Sequence, residues 1–255
     1  MVRFSVKLLA GIALAASAAS IYAATPGIPA YVAAAVADTS RPDTDRATDG
    51  NRKPAETIAF AGVKSGMTVG EFYPGGGYFT RMLSDVVGPK GHIYAIENMR
   101  WDDPKADKVV IDAAKGGNVS IDVRAFGTVD FPKPLDLAWV TQNYHDLKIS
   151  KYGVVDTVAF DRGVFNALKP GGVFMIIDHE APPGTDVAAI AKLHRIEKAQ
   201  VIKEVTSVGF KLVEEGTFLR RSSDDHTLPI FDAKVRGQTD QYALKFVKPA
   251  GRLKR

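Results

Sequence analysis

The sequence predicts one α/β domain in which a mostly parallel β-sheet carries helices on both faces. Three observations carry that prediction. From Pro54 onward, short apolar strands alternate with helical segments, the pattern of parallel strands joined by crossover helices. The first strand runs into three consecutive glycines, Gly75, Gly76 and Gly77, before a helix resumes. The last two strands follow one another with no helix between them, which calls for an antiparallel strand at the end of the sheet.

Along the chain, Met1 to Ala24 reads as a cleaved secretory signal. Arg3 and Lys7 give the positive start, "LLAGIALAASAAS" the apolar centre, and Ala23 and Ala24 a small-residue cleavage region. A periplasmic or secreted protein is therefore expected. Leu8 to Ala24 is only about 17 residues, the lower limit of a bilayer span, so no stable membrane insertion is expected after cleavage. Residues 25–54 hold a helix at "YVAAAVAD" and a polar arm, "TSRPDTDRATDGNRKP", whose two prolines and lack of apolar periodicity predict a loop.

The domain proper covers 55–249. It begins with a helix over Ala55 to Val63, a turn at Ser65-Gly66 and a strand over Met67 to Phe72. A helix at about Tyr78 to Val87, a strand "HIYAIE", a helix near Asp103 to Ala114 and strands "NVSIDV" and "LDLAWVT" follow. The pattern then predicts a helix from Tyr152 to Leu168, the strand "GVFMIID" and one long helix from Asp186 to Val208. "FKLVEEGTF", a polar insertion and "QYALKFV" lead to a basic tail over 250–255.

With 255 residues, 45% hydrophobic and 24% charged, the chain is long enough for one well-buried core. A second full domain is not expected. The formal charge of +4 includes Arg3 and Lys7 of the leader, and the remaining cations are scattered among acids with no basic stripe interleaved with aromatics. That pattern argues against a nucleic-acid partner. The chain has no cysteine, which excludes disulfides, thiol nucleophiles and cysteine metal sites.

Ligands of open α/β sheets bind outside the carboxyl ends of the strands, where strand order reverses. Gly75 to Gly77 fall there, lack blocking side chains, and precede a helix whose first N–H groups are free. A tight strand-to-helix turn would use the same glycines. Thr80 stands where a dinucleotide fingerprint needs glycine, and the Gly-Lys-Ser/Thr of a phosphate loop is missing. Glu71 ends the first strand and Glu97 the second. A carboxylate in the second position accepts two hydrogen bonds from a ribose diol.

The stretches "GMTVGEFYPGGGYFTRML", "VGPKGHIYAIE", "NYHDL", "LKPGGVFMIIDH", "LHRIEKAQVIKEV", "GFKLVEEG" and "LRRSSDDHTLPIFDAKVRGQTDQYALKFVKP" resemble the class I S-adenosylmethionine-dependent methyltransferases, within them a group of exported predicted methyltransferases. The resemblance runs from about Ala30 to Pro249. It implies a Rossmann-like, three-layer α/β/α sandwich with a seven-stranded, mostly parallel sheet and an antiparallel last strand. It also implies S-adenosylmethionine as cofactor, with Glu71, Gly75, Gly76 and Gly77 in the cofactor loop and Glu97 on the ribose hydroxyls. Asp122 and Val123 would lie near the adenine, and Asn143 near the methionine part and the reacting methyl. Tyr73 stands where the family pattern, acid-x-Gly-x-Gly-x-Gly, has its first glycine.

Methyl transfer from a sulfonium is an in-line displacement, so the protein aligns the partners and accepts a proton when the acceptor is O–H or N–H. His145, His179, His194 and His226 all map to loops or helices at the same sheet edge. His145 is the first choice of base and His179 the second, with Tyr144 beside them as a further catalytic candidate. His194 and Arg195 would otherwise pin the fifth-strand loop through a salt bridge. His145-Asp146, Asp178-His179-Glu180 and Asp225-His226 contain metal donors, but adjacent residues rarely share one ion and no helical His-x-x-x-His pair occurs. No metal is therefore expected. In the arm, Arg41, Asp45, Asp49 and Arg52 would bond across the cleft and exclude water, or form a surface strap. Phe60, Trp101 and Trp139 read as core or pocket wall.

Two functions follow. One is an exported methyltransferase acting on a small molecule or envelope component. The other is a non-catalytic ligand-binding or scaffold protein that keeps the fold, which Tyr73 and the cytoplasmic origin of the cofactor favour.

Overall fold

A computed structural model of the protein describes residues 27–99 and 117–251. The leader, the helix expected over Asp103 to Ala114, Trp101 and the last residues of the tail lie outside the described residues.

Seven strands form one sheet: β1 (Thr68–Phe72), β2 (His92–Asn98), β3 (Val119–Arg124), β4 (Leu135–Thr141), β5 (Leu168–His179), β6 (Lys211–Gly216) and β7 (Gln241–Val247). Their order is β3-β2-β1-β4-β5-β7-β6. Strands β1 to β5 pair in parallel, whereas β7 inserts antiparallel between β5 and β6. This is the seven-stranded, three-layer fold of class I methyltransferases. Strand order reverses between β1 and β4, which opens a crevice at their carboxyl ends.

The central strands read as continuous apolar runs because helices cover both faces. On one face α1 (Ala30–Ala37), α4 (Pro54–Ala61) and α5 (Tyr78–Val87) supply Val32, Ile58 and Met82 to a core that includes the fully buried Trp139. On the other, α6 (Thr157–Ala167) and α8 (Lys198–Ser207) supply Phe160, Val164 and Val201, packed on Phe72, Phe174 and Phe246. Phe60 is half-buried against the first core, its ring edge-on to Phe218 at 5.6 Å.

Three expectations need correction. The arm is not a plain loop: it folds into two short helices, α2 (Asp43–Arg46) and α3 (Asp49–Arg52), each with an acid in its first turn and an arginine in its last, which suits the helix dipole. The segment from Tyr152 does not start a helix, because Ser150–Tyr152 closes a 3₁₀ turn and α6 begins only after Asp156, whose side chain accepts from the Ala159 N–H. The long helix from Asp186 to Val208 is two helices. The first, α7 (Val187–Leu193), ends where His194 takes the left-handed conformation at φ 54°, and α8 starts at Lys198. The antiparallel pair at the end of the sheet is found as expected.

Candidate functional site

A cavity of about 630 Å³ opens at the carboxyl ends of β1, β2, β4 and β5, within the range of small-molecule sites. Parallel register brings these ends level: Glu71 is opposite both Ala95 and Trp139, and Thr141 is opposite Ile177. Glu71, Gly75, Gly76 and Glu97 line one end, Asn143 stands between, and His145, Asp146, His179 and His194 line the other.

At the first end the chain turns sharply out of β1. Tyr73 sits at φ 58°, Gly75 at 53° and Gly77, the N-cap of α5, at 74°. Left-handed backbone suits glycine, and a Cβ on Gly75 or Gly76 would meet nothing within 4 Å, so both face open space. Glu97 is buried, and one carboxylate oxygen accepts the Gly75 N–H at 3.1 Å, clamping the loop to β2. Glu71 is also buried. Desolvation pushes it up to about 7, although the Thr80 hydroxyl, donating at 2.7 Å, holds it down. The Tyr73 ring turns onto Phe126, with centroids 4.7 Å apart, and its hydroxyl accepts the Gly127 N–H at 3.0 Å.

The arm roofs this end, with Thr44, Asp45, Thr48 and Arg52 on the cavity. Asp45 pairs with Arg81, and Asp49 accepts from the Tyr78 hydroxyl at 2.6 Å, so both of the predicted arm acids bond across to α5. Arg41 instead closes the arm on itself through both Asp49 oxygens, at 2.7 and 2.8 Å. Arg52 lies over the Tyr78 ring, 4.0 Å from its centroid.

At the second end, three elements meet. His145 opens a 3₁₀ turn after β4 and is fully buried. Asp178, at the end of β5, accepts from the His145 backbone N–H and pairs with its Nδ1, both at 2.7 Å. Burial opposes charge on His145, but Asp178 and Asp146 outweigh it and raise the ring to about 10. Burial instead lowers His179 to about 3, and its Nδ1 pairs with the Thr239 hydroxyl at 2.7 Å. Asp146 is held far below the usual carboxylate range: burial resists, but His145, His194 and Asn143 prevail.

Several predicted residues stand elsewhere. Tyr144 does not line the cavity; its hydroxyl donates to Asp161 at 2.9 Å and Glu204 at 3.2 Å inside the core, because the 3₁₀ turn points successive side chains apart. Asp122 and Val123 do not line it either. Asp122 faces outward on an edge strand and pairs with Arg124 at 2.7 Å, and Phe126 holds the position nearest Tyr73. His226 pairs with Asp240 at 2.9 Å, away from the cavity. Arg195 does pin the loops: it is fully buried, binds both Asp224 oxygens at 2.8 and 3.1 Å, and donates to the Glu180 and Leu228 carbonyls. Sequence reasoning missed Gln142, Ile230 and Phe231 on the wall and Thr239 behind His179. Of these, only Gln142 carried a signal, its adjacency to Asn143.

No protein-family model matches this sequence, and no curated protein matches it. Solved structures do match in fold. A SAM-dependent methyltransferase from Aquifex aeolicus superimposes with a TM-score of 0.54 at 17% identity, covering 80% of this chain and 93% of that one. An S-adenosylmethionine-dependent methyltransferase from Mesorhizobium loti gives 0.57 at 14% identity, covering 78% and 99%. The [4+2]-cyclase SpnF gives 0.56 at 17% identity, covering 81% and 82%. At such identities the likeness establishes the fold alone.

Proposed function

We propose that this protein is an S-adenosylmethionine-dependent methyltransferase, exported from the cytoplasm, acting on a small molecule or an envelope component. One observation carries the reading: a glycine loop facing open space and a buried carboxylate at the neighbouring strand end share one cavity at the topological switch point.

The donor set fits the cofactor. Glu97 would take the ribose diol, and Gly75 and Gly76 allow close approach. Asn143 would face the methionine part, and Arg52, the one arginine or lysine on the cavity among the described residues, would suit its carboxylate. When bound, this cofactor supplies a methyl group on a positively charged sulfur. The arm keeps water out, and the glycine loop with Asn143 fixes orientation. His179, on the wall with Nδ1 tied to Thr239, is better placed than His145 to accept a proton, since His145 is committed to Asp178. Among the described residues no helix is long and apolar enough to cross a membrane.

Calorimetric titration of the purified protein with S-adenosylmethionine and S-adenosylhomocysteine tests the reading. Micromolar binding of both is expected; no heat and no thermal stabilisation at millimolar ligand would overturn it. One observation favours the second reading, a non-catalytic binding protein: Tyr73 takes up the Gly127 N–H beside Phe126, where the family pattern would leave a glycine.

A further inference from the structure

We propose that His145, Asp146 and His194 bind one divalent transition-metal ion of the zinc class at the histidine end of the cavity. The inference does not depend on nucleoside binding.

One ligand atom from each of His145, Asp146 and His194 lies within 4.8 Å of the other two. The Asp146 oxygen is 3.3 Å from His145 Nε2 and 3.4 Å from His194 Nδ1. Tetrahedral ligands at the usual zinc distances stand about 3.3–3.4 Å apart. The arrangement therefore fits an ion without movement of these two contacts. His145 Nε2 and Asp146 Oδ1 are buried and face each other as an ion pair with no hydrogen-bond partner among the described residues. Asp146 Oδ1 is thus the shared charge partner of two buried imidazoles, and a buried ring nitrogen and carboxylate oxygen left without hydrogen bonds are costly unless something binds them both.

The surroundings orient the ligands as supporting shells of metal sites do. Asp178 engages His145 Nδ1 at 2.7 Å and so directs Nε2 to the cluster. Asn143 donates to the other oxygen of Asp146 at 3.1 Å. His194 reaches the cluster from the left-handed end of α7, a strained conformation for a side-chain-bearing residue. Two imidazoles exclude the oxygen-seeking Mg²⁺ and Ca²⁺, and the absence of thiolates disfavours Cu(I). Three protein ligands on a cavity wall leave a further position for water or a substrate oxygen, the arrangement of catalytic rather than structural zinc.

The test uses untagged protein stripped by chelator and titrated with Zn²⁺, and separately with Co²⁺ while visible absorption is read. One Zn²⁺ per chain and the intense absorption of tetrahedral Co²⁺ are expected. Asp178→Asn should weaken Zn²⁺ binding about 10–100-fold, as loss of a supporting partner does, and His194→Ala or Asp146→Asn should weaken it further. The proposal is overturned if the wild-type protein takes up no Zn²⁺, or if a folded His194→Ala protein binds Zn²⁺ as the wild type does. Should His194→Ala fail to fold, near-isosteric Asp146→Asn and the wild-type Co²⁺ spectrum decide.

Discussion

The two ends of the cavity are made differently. The glycine end comes from a short continuous piece of chain, Glu71 to Gly77, closed by a single carboxylate from β2, and it presents backbone and open space. The histidine end draws on Asp178, His145 with Asp146, and His194, from three separate elements, and presents buried polar atoms. Backbone and open space form a cradle that tolerates variation in what approaches it. A site that must fix several charges in a dry environment needs its positions held from all sides.

The sharpest way to break this comparison is at the support of the histidine end. Arg195→Ala leaves Asp224 buried without its cation and should cost about 3–5 kcal/mol of stability by chemical denaturation. A loss below about 1 kcal/mol would mean that the buried network does not hold that end. At the glycine end the effect should fall on binding. Gly75→Val places a branched side chain at φ 53° facing the cavity; it should weaken S-adenosylmethionine binding more than about 100-fold while costing only about 1–2 kcal/mol in stability.

Glu71 gives the glycine end a pH dependence. Its folded value of about 7 lies above the ordinary 4.5, so folding favours the protonated form. Its stabilisation is complete below about 4.5 and is lost as pH rises through 7, by up to roughly 3 kcal/mol. Glu71→Gln should flatten the fall in Tm over that window; an unchanged slope would assign it to another group. The smallest effect is expected at Tyr73. Because the ring already lies against Phe126 and the cavity stands with it in place, Tyr73→Gly should shift nucleoside affinity less than tenfold. Binding that appears only in Tyr73→Gly would favour the non-catalytic reading.

The same contrast explains what the sequence revealed. The alternation of strands and helices, the antiparallel last strand and the Glu71–Gly77 turn rest on local pattern, and the structure holds them where pattern put them. Asp122, Val123 and Tyr144 were placed by position along the chain, but which way a side chain leaves an edge strand or a 3₁₀ turn depends on its tertiary neighbours. His194 was placed at the cavity's edge of the sheet from the sequence, but its contact with Asp146 was not legible. A helical pattern runs through it, yet the chain breaks there, and only that break carries its ring to Asp146. Adjacent His145 and Asp146 look incompatible with one ion in sequence; the 3₁₀ turn and the Asp178 anchor nevertheless bring their ligating atoms 3.3 Å apart.

The insertion of β7 also has a consequence for how the molecule comes into being. β7 lies between β5 and β6, and the residues just before it fasten the histidine end: Thr239 holds His179, and Asp240 accepts from the Arg221 N–H at 2.6 Å. The sheet therefore cannot close, nor His179 settle, until nearly the whole 255-residue chain has been synthesised. Such late, long-range closure slows folding and prolongs the life of incomplete states.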